Sequence, residues 1–191
     1  FGGPSEALEM DVAASNLYVA LSYGLLSRIN ADDAHSVDIL LHCTRSIQFY
    51  LKNAGRIVSA RENLIVAYIH SANLAMQLGH WNLALKYLFQ AKRHSELPEL
   101  NGASTYRFGI FVRYAIAALR LAQKEIENLP NGGGSARERV RRNLQRGQVA
   151  ISTIARAGML EGRIRNASKK NGSGSRQDVR SVFLLAGYYV W

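Results

Sequence analysis

Apolar residues recur along the first 130 positions at intervals of three, four and seven, the spacing that puts side chains on one face of an α-helix. Leu8, Val12, Val19, Leu26 and Ile29 fall on one such stripe, with the small Ser15 and Ser22 between them and Leu21 and Leu25 widening it. They predict a first helix over 6–30, entered through Pro4-Ser5. Gly24 sits inside it, where it costs about 1 kcal/mol relative to alanine and so points to a close neighbour. Val37, Leu40, Leu41, Thr44, Ile47, Leu51 and Ala54 predict a second helix over 35–54, closed by Gly55. Ile57, Leu64, Tyr68, Ala72, Ala75 and Met76 predict a third over 57–78, stopped by Gly79. Leu83, Ala84, Tyr87, Leu88 and Ala91 predict a fourth over 82–95, and Phe108, Phe111, Val112, Ala115, Leu119, Ala122 and Ile126 a fifth over 104–128. No stretch alternates strictly, so no sheet is expected. The expected fold class is all-α: antiparallel helix pairs, with C-terminal helical segments docked on them.

Residues 65–98 carry a finer pattern. Tyr68, Ala72, Gly79, Ala84, Leu88 and Ala91 are spaced by 4, 7, 5, 4 and 3, with Pro98 near the end. Ala72 and Ala84 let two antiparallel helices approach, Gly79 suits a tight turn, and Tyr68 and Leu88 fill the space between. This stretch resembles one tetratricopeptide repeat. It departs from that family at Ala75, where a larger, often aromatic residue is usual, and residues 6–54 match only as a degenerate repeat. A generic antiparallel bundle uses the same small-residue logic, so both architectures stay open. The resemblance implies a concave face on the first helix of the pair, which makes Val66, Ile69, Asn73, Met76 and Gln77 the candidate partner-binding groove.

Charge divides the chain unevenly. Of 191 residues carrying a net +10, residues 1–130 have 12 basic and 11 acidic side chains, and residues 131–191 have 12 basic and 3 acidic. The composition changes at 131–135, Asn-Gly-Gly-Gly-Ser, and a near-copy follows at 171–175, Asn-Gly-Ser-Gly-Ser. Such runs behave as flexible coil. They read either as engineered linkers joining a 5–130 helical domain to two partner segments in a single-chain fusion, or as two natural loops. Residues 136–170 form a basic amphipathic segment in which Val140, Leu144, Ile151 and Ile154 share a stripe. Residues 176–191 end in a nearly continuous apolar run containing Phe183, Leu185 and Trp191. These seven side chains are the candidate docking residues. Arg141, Arg142 and Arg146 are candidate rim contacts, facing Asp32, Asp33 and Asp38.

Catalytic constellations are missing from the sequence. Gly132-Gly133-Gly134-Ser135 lacks the Lys-Ser/Thr ending of a phosphate loop. The five histidines show no metal-ligand spacing. His42 and Cys43 are adjacent on a helix and so do not face each other, which makes Cys43 a core residue. No enzyme activity, cofactor or metal is expected. The expected function is protein–protein interaction, as a scaffold or adaptor that binds amphipathic partner segments. The alternative is a nucleic-acid-binding helical protein using the arginine-rich segment. A domain-swapped homodimer is a further expectation. No apolar run is long enough to cross a bilayer and no signal peptide is apparent, so an intracellular location is expected.

Overall fold

The computed structural model describes residues 4–30, 34–96, 104–128 and 134–156. Among them are six helices: α1 (Pro4–Asn30), α2 (Ser36–Asn53), α3 (Val58–Gln77), α4 (Trp81–Ser95), α5 (Ser104–Glu127) and α6 (Gly134–Arg156). The described residues contain no strand, and the all-α class is as expected. The chain divides into two compact units, Phe1–Ile110 and Phe111–Trp191. The division falls within α5, not at the glycine-rich 131–135 stretch. Gly134 and Ser135, read from sequence as linker, are the first residues of α6.

In the first unit α1 pairs with α2 and α3 with α4, while α3 also packs on α2 and touches α1. The α3–α4 turn shows why this pairing is sharp. Gly79 adopts φ +70°, which only glycine takes without cost. Its N–H donates to Met76 O at 3.0 Å, and His80 N–H donates to Ala75 O at 2.8 Å. Two carbonyls left over at the end of α3 are thereby satisfied, and the chain reverses within three residues. The tetratricopeptide-like positions all face inward: Tyr68, Ala72, Ala84, Leu88 and Ala91 are buried. Tyr68 stacks on His94 at 5.8 Å and lies 6.2 Å from Tyr87. Burial pushes the Tyr68 phenol up and the His94 imidazole down from their usual ranges.

The first two helices bury stripes that differ, wholly or in part, from those expected. On α1 the buried positions are Ala13, Leu17, Ala20, Gly24 and Ser27, whereas Leu8, Val19, Leu26 and Ile29 are exposed. The reason is steric. A Cβ added at Gly24 would lie 2.3 Å from Leu74 Cδ2, so α1 approaches α3 too closely for a large side chain. Small residues admit the neighbour, and the larger ones are turned away. On α2 the shift is partial. Ile47 and Ala54 of the expected stripe are buried, joined by Ile39, Cys43, Ser46 and Tyr50, while Val37, Leu41 and Leu51 stay exposed. Ala20, Ile39, Cys43 and Leu74 form one core cluster where α1, α2 and α3 meet, flanked by the partly buried Leu21, Tyr23 and Leu78.

Polar contacts fix the register of the α1–α2 pair. Lys52 Nζ donates to Glu9 Oε1 at 2.5 Å, and Asn53 Nδ2 donates to Glu9 Oε2 at 2.9 Å. Arg56 reaches Glu6 Oε1 at 3.5 Å. Further along, Asn16 Nδ2 donates to Val12 O, which leaves Asn16 Oδ1 to accept from His42 Nδ1–H at 2.8 Å. Tyr23 stacks on His35 at 4.8 Å near the other end of the pair. The bonds from Lys52 and Asn53 hold the Glu9 carboxyl below its ordinary range.

In the second unit α6 lies against α5. Glu125 accepts from Asn143 Nδ2 at 3.1 Å and sits 3.6 Å from Arg139 Nε. Gly147 faces Leu119, where a Cβ would come within 3.2 Å of the leucine side chain. Ala136, Asn143, Gly147, Ala150 and Ile154 are the buried positions of α6, again mostly small.

Two outcomes follow from these contacts. Gly24→Ala gains about 1 kcal/mol of helix propensity but drives a methyl into the buried Leu74, an overpacking that costs typically 1–3 kcal/mol. The substitution is expected to lower the urea-unfolding midpoint, whereas an unchanged or higher midpoint contradicts the close approach. For Glu9 the lowered carboxyl pKa adds stability above the unfolded-state value, and that stability is lost as pH falls through the folded-state value. Unfolding measured at pH 7 and pH 3 is therefore expected to show a smaller acid-side loss for Glu9→Gln than for the parent chain.

Candidate functional site

The candidate groove lies on α3. Helical spacing places Val66, Asn73 and Gln77 on the side of α3 turned away from its buried face, together with Glu62 and Asn63. Val66, Ile69 and Asn73 are half-buried and Gln77 is exposed. Met76 belongs instead to the core, 6% exposed. The surface is thus an apolar step at Val66 and Ile69 inside a polar surround. Its hydrogen-bonding groups are neutral amides, with Glu62 the nearest acid on the same helix face. Such a surface has the means to orient a peptide, but it has no nucleophile–base pair.

The other candidates are dispersed. Ile154 is buried, Val140 is half-buried, and Leu144 and Ile151 are exposed. Small residues, rather than these aliphatic side chains, form most of the α6 stripe that is buried. Phe183, Leu185 and Trp191 lie outside the described residues, as do Asp32 and Asp33. Asp38 is 4.0 Å from His35, the residue that precedes its own helix. Arg146 Nη1 donates to Asn143 Oδ1 at 3.1 Å and so supports the residue that binds Glu125. Arg141 and Arg142 are exposed and, with Arg137, make no ion pair among the described residues. With the exposed Glu138 among them, they leave a mainly cationic strip on the outward side of α6.

Cys43 is buried and free, and burial pushes its thiol up, the opposite of what a nucleophile needs. His42 is turned to Asn16, not to the sulfur. Among the described residues no group of three or more His, Cys, Asp or Glu side chains is arranged to hold a metal, and no helix is long and apolar enough to cross a membrane.

One surface escaped the sequence reading. Leu8, Tyr18, Val19, Leu25, Leu26 and Ile29 all sit on the outward face of α1. The signal for it is present in the sequence: no charged residue occurs from Val12 to Ser27, so neither face of the helix is marked as the wet one. Compared with protein families, with characterised proteins and with solved structures, the chain gives no significant match.

Proposed function

We propose that the chain is a non-enzymatic protein-binding module, a scaffold or adaptor on the plan of tetratricopeptide repeats, which seats an amphipathic segment of a partner on α3. The observation that carries this reading is the contact between α1 and α3 through Gly24 and Leu74. In stacked helical repeats the first helices of successive pairs lie side by side and build one binding face. The two pairs here, α1–α2 and α3–α4, meet in that manner, and the Gly79 turn gives the second its tight reversal. Val66 and Ile69 supply the apolar step, and Asn73 and Gln77 the orienting amides, the pattern by which a groove takes up an amphipathic helix. A labelled peptide of residues 176–191, carrying Phe183, Leu185 and Trp191 as apolar anchors, serves as the probe. Titration with the full chain is expected to give saturable anisotropy, and Val66→Glu to raise Kd about tenfold or more, about 1.4 kcal/mol or above. No saturable binding, or binding indifferent to Val66→Glu, overturns the proposal.

A second reading rests on the exposed Arg137, Arg141 and Arg142 of α6. Three such side chains spaced along one helix face match a run of phosphates on a nucleic-acid backbone. On this reading log Kd for duplex DNA changes with log salt with a slope of about 3, and Arg141→Gln with Arg142→Gln removes about 2 of it. Absence of duplex and single-strand binding at low salt eliminates the reading.

A further inference from the structure

We propose that the outward face of α1 is a self-association surface, on which a second copy of this chain packs with its α1 antiparallel and the two helices crossing at Ser22. The proposal is independent of the α3 seat.

The face is unusual for a surface helix. From Ser15 to Ile29 its outward positions are Ser15, Tyr18, Val19, Ser22, Leu25, Leu26 and Ile29, with the exposed Arg28 at the edge of the face as its one charge. Tyr18 and Ile29 are each 69% exposed and Leu25 57%. Contiguous apolar surface of several hundred Å2 is rare on a monomer.

The order of side chains along the face selects the occupant. A two-fold axis at Ser22 sets each Ile29 against the partner's Ser15, and each Tyr18 against the partner's Leu26. Large meets small at the ends, and the two serines meet at the centre, where the backbones come closest. A parallel pair instead sets Ile29 on Ile29 and Ser15 on Ser15, leaving bulk at one end and a gap at the other. The crossing residue is also prepared for burial. Ser22 Oγ donates to Tyr18 O at 2.9 Å, so its hydroxyl enters the interface already hydrogen-bonded. Asp11, the charge nearest the seam on its N-terminal side, falls beyond the overlap in this register and keeps its water. A lipid surface suits the face less well, because an interfacial helix carries a basic flank and α1 offers only Arg28 near this stretch.

Sedimentation velocity on the full chain, with single-cysteine cross-linking, tests the proposal. A concentration-dependent dimer is expected, and Ile29→Glu should raise its dissociation constant about tenfold or more, since it places a charge opposite Ser15 in a desolvated seam. In air-oxidised samples Ser22→Cys should give a disulfide-linked dimer and Ser15→Cys little or none, because only position 22 meets itself across the axis. The native Cys43 is buried and does not compete. Circular dichroism confirms that the variants keep their helices. A chain that stays monomeric up to about 200 μM, well above the micromolar range of ordinary transient contacts, overturns the proposal. So does a dimer indifferent to Ile29→Glu, or one cross-linked as readily through position 15. Monomers that shift only when anionic vesicles are added assign the face to lipid and likewise overturn it.

Discussion

The arrangement of the first unit depends on how near α1 comes to α3. Gly24 leaves room for Leu74, and Ala13, Ala20 and Ser27 extend the same low relief along the helix. Once that distance is set, α2 closes over the pair with Ile39 and Cys43, and the core cluster is complete. Along α1 the interior is therefore built more from approach than from bulk, and Ile39, Leu64, Ile65 and Leu88 supply the bulk elsewhere. Dispersion contacts between closely placed backbones replace the larger areas that leucine-rich helices bury. The same device recurs in the second unit, where Gly147 and Ala150 bring α6 against α5.

A core of this kind needs help with register, because small side chains interlock weakly. The polar contacts supply it. Glu9 with Lys52 and Asn53 ties one end of the α1–α2 pair, and Tyr23 on His35 marks the other. In the second unit Glu125 does similar work through Asn143 and Arg139. Exposed ion pairs contribute little on their own, but here a half-buried carboxylate also satisfies the amide of a buried asparagine. Losing the acid therefore strands a donor as well.

How far the sequence disclosed this depends on the element. The spans of α1 to α5 were legible to within one or two residues, because Gly55, Gly79 and the three prolines fall between the apolar stripes, whereas α6 begins at Gly134, inside the stretch read as linker. The buried face of α3 was legible too: Leu64, Tyr68, Ala72, Ala75 and Met76 are both its apolar stripe and its core. On α1 the rule that the bulkiest stripe goes inside gave the wrong side, and on α2 it held for Ile47 and Ala54 but missed Ile39 and Tyr50. Leu8, Val19 and Leu26 outweigh Ala13, Ala20 and Gly24 in hydrophobicity, yet the small set is the one a neighbouring helix can reach. Periodicity records which residues share a face but not which face receives a partner. Of the residues expected to line a groove on α3, Gln77 is exposed, Val66, Ile69 and Asn73 are half-buried, and Met76 lies in the core. Its register lies on the edge of the stripe that meets the other helices.

Two serine hydroxyls inside the first unit have a different consequence. Ser27 on α1 and Ser46 on α2 are buried with no hydrogen-bond partner for either Oγ. Each such group costs roughly 1–3 kcal/mol that an alanine would not. The α1–α2 seam thus carries a standing penalty that water entry relieves. In amide hydrogen exchange, protection is therefore expected to fall in the turns around Ser27 and Ser46.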